Sequence, residues 1–583
     1  MASEHYSAFV EEAFVKPIRS VLIVDDDYPT FEEMLDAQLE RSAGREPPAD
    51  KEWFKDPTRI KNVIASFRTP TRPLLVDIHD GANVTVGEDL KVAHHLHQSD
   101  LLVLDYQLDK SRPGDGSVAV QIIRTLLRNE HFNLVVVHTS EDLDRVFTPT
   151  LIALMRPQEV KLSVEDRARA ALLLEDLEDE TEGASAKMAG SIGLAQYLHS
   201  RRYPAQFTQT MRLGSQPYSD FRALCPDAWD GDDRRLVLKH LLERVETSLE
   251  PQFNPEAAGE LVWDDGPVKY IKADSVFVAF SSKGDDDDLL KDLLEALNAW
   301  RPQPSRMFHA KLRAEMDEFG VLAQGGALEN RHALAHWYKR LLETDGTARR
   351  WLIAESVSRH AEQLLGDILH RVEDFAGRLV AVEAKAGTPN DVSKSHFKID
   401  LANDAENTKA RQEHNVAVCS KLRTGWHLTT GHVFRMNEAY WVCVSPACDM
   451  VPGQLSAQRI QTFGERLPFI ALKLNELKDT KAPKDIQTNR YAYVRVDGTI
   501  KGFCVNDPGG ETSTPEWHIL FAEKRGEFSK GFHFKIFYPQ AGKRGMVQKR
   551  VDAEVVAQLR YEYALNLVQR LNGAFTRIGL DFV

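Results

Sequence analysis

The sequence predicts a multidomain chain of class α/β plus α plus β. A doubly wound parallel sheet with a helical insertion comes first, then a helical middle, then a β-rich C-terminal domain. Three observations carry this. Short apolar runs ending in acids alternate with helical segments as far as about residue 145; residues 305–386 repeat Leu and Ala at three- and four-residue intervals; beyond 415, aromatic-rich runs are separated by turn residues. Strand–helix alternation specifies a parallel sheet. At roughly 100–200 residues per domain, a chain of 583 residues holds several domains.

Tyr6, Phe9, Val10 and Phe14 fall at helical spacing, so a short amphipathic helix precedes the first strand. SVLIVDDD (20–27) is an apolar run that stops abruptly in acids, the pattern of a buried parallel strand opening into a polar crevice. Thr30 and Glu33 form a capping-box pair for the helix that follows. Residues 41–58 carry three prolines and read as loop. PLLVDIHDG (73–81), DLLVLDYQLD (100–109) and NLVVVHTSED (133–142) are further strands; DLKVAHHLHQ (89–98) and SVAVQIIRTLLRN (117–129) are helices. Residues 150–250 turn helical. VKYIKADSVFVAFSSK (268–283) returns to two short strands about the Ala273–Asp274 turn, and DDDDLLKDLLEALNAW (285–300) is a helix whose acids oppose its dipole. A polar linker, 387–415, separates the helical middle from strands in 416–583, which a final helix closes. That helix repeats Tyr561, Ala564, Leu565, Leu567, Val568 and Leu571, an apolar stripe suited to covering the open face of a sheet.

The chemistry concentrates at strand ends. Neighbouring parallel strands converge at their carboxyl edge, so Asp25 and Asp26 are expected near Asp105. Such a cluster of hard oxygen ligands suits Mg²⁺. Thr139 ends the next strand, where its hydroxyl reaches a phosphoryl oxygen, and Lys283 follows SVFVAFSS as a point positive charge. Together these groups make an aspartyl-phosphate site.

VLIVDDD, LLVLD, VVVHTSE and the late strand with Lys283 resemble the receiver domain of two-component response regulators. The resemblance implies Asp25 and Asp26 as the acidic pair and Asp105 as phospho-acceptor. It also implies Gln107 as the residue whose backbone carbonyl reaches the metal, with Gly114 and Gly116 in the loop before the next helix. Thr139 becomes the switch hydroxyl and Lys283 the lysine. It implies Mg²⁺ as cofactor and a histidine kinase or kinase-like ATPase as partner, and it allows a homo-oligomer. Asp26 and Asp105 are 79 residues apart and Thr139 and Lys283 are 144 apart, wider than in a standalone receiver, and Gly284 stands where proline is usual. Insertions near 41–70 and 150–260 are therefore expected, making residues 1–304 an enlarged receiver ahead of a helical connector (305–386). The PIRSVLIVDDDYPT opening resembles divergent receivers beside kinase-like ATPases in bacterial conflict and phage-defence loci.

Other signals are weaker. His427, His432, Cys443 and Cys448 span 22 residues, but their H-x4-H and C-x4-C spacing is looser than structural zinc prefers. Glu383-Ala-Lys385 imitates a nuclease motif. Leu365, Ile368, Leu369, Val372, Phe375, Leu379 and Val382 carry a helical period into it, whereas such motifs sit on strands. The basic residues of GKRGMVQKR (542–550) and the aromatics of WHILF and GFHFKIFYP are a candidate lining for a nucleic-acid groove, but the acidic surroundings favour a solvated loop and sandwich core.

Composition narrows the classes. With 87 acidic against 73 basic residues the net charge is −14, which argues against nucleic acid or an anionic membrane as a general partner while leaving room for a local basic patch. The N-terminal twenty residues mix acids into apolar positions, unlike a signal peptide, and no run reaches the ~20 apolar residues of a membrane span. Five Cys, odd in number and sparse, make no disulfide framework, so a reducing cytoplasm is expected. The function expected is a two-component-type regulator, with Asp105 phosphorylation controlling a C-terminal recognition or output domain, in a phage-defence setting. The rivals are a phosphorylation-independent receiver-like assembly protein and an effector enzyme with its site near Cys448–Asp449.

Overall fold

The computed structural model describes residues 2–46, 57–79, 81, 99–108, 111–112, 114–128, 132–158, 161–257, 259–284, 288–328, 330–451, 461–477, 491–505, 515–543 and 545–575. The chain divides into two compact units, Met1–Ala314 and Glu315–Val583.

The first unit is built on a sheet of β1 (Ser20–Val24), β2 (Leu75–His79), β3 (Leu101–Leu104), β4 (Asn133–Thr139), β5 (Leu261–Asp264), β6 (Tyr270–Ala273) and β7 (Val276–Ser282). Their order is β2-β1-β3-β4-β7-β6-β5. The first five in that order are parallel, and β6 and β5 add antiparallel. Val, Ile and Leu run without polar interruption because both faces are buried. Leu22, Val24, Leu102, Leu104, Val135, Val137, Val278 and Phe280 face one core. Val21, Ile23, Leu101, Val103, Val136 and Phe277, alternating with them, are buried too. On that second face Phe14 and Phe277 each pack against Trp300. Phe14 comes from the N-terminal helix, whose last turn is π-helical (Glu11–Val15), Trp300 from the helix Leu289–Trp300, and Phe277 from β7.

The separation of Thr139 from Lys283 has a plain cause. Helices from Val164–Glu180 to Gly231–Leu249 fill the interval, and their Tyr197, Tyr218, Phe221, Val237 and Leu238 join the core of the first sheet face. The insertion packs onto the sheet, and the β5–β6 hairpin leads the chain back to β7. Strand β5 was not among the strands expected from sequence.

The stretch near 41–70, expected as an insertion, holds the helix Pro57–Phe67, and a small hairpin, Arg68–Thr69 with Arg72–Pro73, follows it. Ile60, Val63 and Phe67 are buried at helical spacing, a short stripe that the flanking prolines conceal. The helix expected at 89–98 and Asp285–Asp287 lie outside the described residues. Asp288 caps its helix by accepting from the Lys291 amide at 3.2 Å. The Thr30–Glu33 capping box is formed in both directions.

In the second unit, Glu383 and Lys385 lie on the 41-residue helix Gly346–Ala386. Residues 387–415, expected as linker, instead hold the helices Pro389–Phe397 and Asp404–Cys419. Thr388 and Asn403 accept hydrogen bonds from the first-turn amides, so the polar residues there are caps and exposed faces.

The β-rich region comprises β8 (His432–Met436), β9 (Ala439–Cys443), β10 (Leu467–Glu476), β11 (Tyr491–Val496), β12 (Thr499–Cys504), β13 (Trp517–Ala522), β14 (His533–Gly542) and β15 (Gly545–Leu559). The ladder β9-β8-β15-β14-β13-β10 closes because β10 pairs back onto β9. A barrel thus replaces the expected open sheet or sandwich. Phe434, Trp441, Phe469, Leu520, Phe534, Ile536 and Val555 fill its interior. Val433, Val442 and Leu472 point the other way, into a second core with the β11–β12 hairpin and with Ala564, Leu567 and Leu571 of the final helix, Tyr561–Phe575. That helix covers the outside of a closed barrel. Its stripe is narrower than expected, since Tyr561 and Leu565 are exposed.

Candidate functional site

The site follows from the register of the parallel strands. Val24 pairs with Leu104, so the residues after them leave the sheet side by side. The Asp105 amide donates to the Val24 carbonyl at 2.8 Å, and the Asp25 amide to the His79 carbonyl at 3.1 Å. On the other side Thr139 pairs with Ser282. The Lys283 amide then donates to the Thr139 carbonyl at 2.8 Å. Four strand ends thereby deliver Asp25, Asp105, Thr139 and Lys283 to one edge.

The side chains converge. Lys283 Nζ lies 2.8 Å from Asp25 Oδ2 and 3.1 Å from Asp105 Oδ2. Asp25, Asp26 and Asp105 each offer a carboxylate oxygen within 4.8 Å of the others. Among the described residues this is the one group of three His, Cys, Asp or Glu side chains so placed. Asp25, Asp105 and Thr139 are buried and Asp26 is half-buried. Asp25 Oδ1 also accepts from the Asp27 amide at 2.9 Å, and Thr139 Oγ1 from the Glu141 amide at 3.2 Å. Gln107 is half-buried in the loop that follows Asp105.

Burial pushes the Asp105 carboxyl up to about 7, against the pull of Lys283 and with further help from Asp25 and Asp26. Burial works to lower the Lys283 ammonium, but the carboxylates of Asp25 and Asp105 outweigh it and its pKa is raised. Three carboxylates against one ammonium leave the pocket anionic. A small divalent cation with oxygen preference matches that donor set.

One contributor was not among the residues singled out from sequence. The Tyr106 ring, buried beside Asp105, lies where a Gly116 Cβ would stand, 2.0 Å from its nearest atom. Gly116 in turn precedes the helix Ser117–Leu126. An aromatic directly after the acid and a glycine ten residues on are the only sequence trace of this packing.

The C-terminal candidates are not brought together. His427 Nε2 donates to the Met450 carbonyl at 3.2 Å, and His432 Nδ1 accepts from the Thr429 amide at 3.0 Å. Cys443 is buried in the barrel interior, while Cys448 is exposed on the 3-10 turn Ala447–Met450. No base hydrogen-bonds the Cys448 thiol among the described residues.

Residues 17–182 match the family model of the response receiver domain. No curated protein and no solved structure gives a match. The N-terminal part of the chain is therefore a receiver domain, and the resemblance carried by VLIVDDD, LLVLD and VVVHTSE holds. The match ends within the insertion. Strand β7 and Lys283 lie beyond it, and the β4–β7 pairing alone brings them to the site. Among the described residues no helix is long and apolar enough to cross a membrane.

Proposed function

We propose that this protein is a signalling regulator in which a doubly wound receiver accepts a phosphoryl group on Asp105. The observation that carries this is the meeting of Lys283 with Asp25 and Asp105 across 258 residues of chain, at 2.8 and 3.1 Å. A buried carboxylate, two further acids, a hydroxyl and an ammonium are the parts that phosphoryl transfer to an aspartate requires.

Asp25, Asp26, Asp105 and the Gln107 carbonyl would hold Mg²⁺, which supplies charge neutralisation to the transferring group. An Asp105 carboxylate oxygen attacks phosphorus; the P–N bond of a phosphohistidine donor breaks, a P–O bond forms, and the released imidazole nitrogen takes a proton. Lys283 would exchange part of its contact with Asp105 for a phosphoryl oxygen, and the Thr139 hydroxyl would donate to another. The partner we infer is a histidine kinase or kinase-like ATPase, and the output is the C-terminal unit. A setting in phage defence rests on the sequence resemblance alone.

The test is intact-mass analysis after acetyl phosphate with Mg²⁺, with beryllofluoride binding in parallel. A +80 Da adduct on wild type, absent from Asp105→Asn and in EDTA, is expected. A folded wild type that takes neither reagent refutes phospho-acceptance and leaves the receiver as a binding module.

A further inference from the structure

The acidic balance of the chain hides a local reversal. From Phe528 to Val551 the sequence holds Lys530, Lys535, Lys543, Arg544, Lys549 and Arg550, with neither Asp nor Glu. Of this interval, GFHFKIFYP was expected as a core strand and 542–550 as a solvated loop. Residues 533–542 and 545–551 lie on the β14–β15 ribbon, in which Phe534 and Ile536 do fill the barrel interior.

The ribbon outruns the barrel. β14 and β15 pair from His533↔Glu554 to Gly542↔Gly545. β13 accompanies β14 only as far as Phe537, and β8 meets β15 only from Glu554 onward. Beyond Phe537↔Arg550, five residue pairs, from Tyr538↔Lys549 to Gly542↔Gly545, have no third strand among the described residues. At ~3.4 Å per residue this is an arm about 17 Å long. An isolated two-stranded hairpin is marginal in water. This one exposes Met546, Val547, Gln548 and Lys549, so it forgoes burial that a shorter hairpin would not.

Its base is braced by cations. The Arg466 guanidinium sits 4.1 Å from the Phe537 ring centroid and donates to Gln548 Oε1 at 2.6 Å. Arg550 pairs with Glu523 at 2.7 Å. Lys543 and Lys549 are exposed and form no ion pair among the described residues.

We propose that this arm is a nucleic-acid-binding element that enters the major groove of duplex DNA. The groove, roughly 12 Å wide, admits a two-stranded ribbon. A 17 Å arm spans about five base steps at ~3.4 Å each. Charge complementarity selects the partner. Lys535 pairs with Asp552 and Arg550 with Glu523 at the base, while Lys543 and Lys549, without an ion pair among the described residues, stand on an arm that carries no acid and so match phosphates on the walls of a groove. The competing account is that lysines on a bare ribbon only block edge-to-edge pairing, and it requires no DNA affinity. The proposal goes beyond phosphorylation and does not depend on Asp105.

The test is fluorescence anisotropy of the full chain with a labelled 30-bp duplex between 50 and 200 mM salt. Three phosphate contacts, from Arg466, Lys543 and Lys549, predict a log–log salt slope of about −2.7, or roughly 40-fold weaker binding over that range. Lys543→Ala/Lys549→Ala should bind at least tenfold more weakly at 100 mM salt with a slope near ~−0.9, and should melt with wild type. The distant Lys339→Ala/Lys385→Ala variant should bind as wild type does. No binding at 50 mM, equal binding by the ribbon variant, an equal loss in the distant one, or tighter binding of single strands would each overturn the assignment.

Discussion

Replacing Lys283 by methionine isolates the charge that holds Asp25 and Asp105 together, while a side chain of similar length still fills the space. The ammonium lies 2.8 Å from Asp25 and 3.1 Å from Asp105. At an effective dielectric of about 20, each contact is worth on the order of 5–6 kcal/mol before desolvation is subtracted. Lys283, Asp25 and Asp105 are all less than one-tenth exposed, so the loss should resemble that of breaking a buried pair, about 3–5 kcal/mol. The cost should depend on pH in a defined sense. A carboxyl raised to about 7 in the fold contributes stability that is fully present below its unfolded pKa of ~3.9 and is lost as pH rises through 7. In Lys283→Met, Asp105 retains its proton to still higher pH. The part of the penalty that comes from Asp105 should therefore be small at pH 5 and largest at pH 8, on top of the lost Asp25 contact. Mg²⁺, by binding the same oxygens, should restore part of it. Urea unfolding followed by fluorescence in EDTA and in Mg²⁺, at both pH values, measures this. A Lys283→Met midpoint equal to wild type at pH 8 in EDTA would refute the electrostatic account of the site.

Gly116→Ala drives a Cβ into the Tyr106 ring at 2.0 Å and should cost about 1–3 kcal/mol as overpacking, with slower phosphorylation of Asp105; a wild-type melt and rate would show that the ring moves freely. In the barrel, burial holds His427 down to about 4 and His432 down to about 3. Depressed groups contribute stability above their unfolded pKa of ~6.5, which is lost as pH falls towards the folded values. Each should therefore remove roughly 3 kcal/mol by pH 4, and His432→Phe should flatten the barrel's acid transition, seen by near-UV circular dichroism. Leu567→Ala, at a fully buried position of the final helix, should cost about 2–5 kcal/mol, whereas Leu565→Ala, 40% exposed, should stay within about 0.5 kcal/mol. Equal losses would mean that the helix packs through another face.

The first sheet and most of the site were legible because the physics behind them is local. A strand buried on both faces must be apolar along its length, as SVLIV, LLVL and NLVVV are, and an acid directly after it must sit at the carboxyl edge. Asp25, Asp26, Asp105 and Thr139 could thus be gathered from one line of text, and the Thr30 cap needed only the four residues that form it. What sequence alone left undecided depends on which distant segments pair. Lys283 reaches Asp105 because β7 lies against β4 after a helical insertion that contributes to the same core, and nothing between residues 140 and 275 states that return. The barrel closes through β9 and β10, which turns an expected open sheet into an interior and an exterior, each with its own core. The polar stretch at 387–415 is helical because Thr388 and Asn403 cap it, although its composition looks like linker. The cations of residues 542–550 read as loop until the register of β14 with β15 sets Lys543 and Lys549 on an arm. Propensity and capping act over a few residues and can be read in order; strand pairing, closure and the meeting of charges are set by contacts between segments far apart in the chain, which only the folded structure supplies.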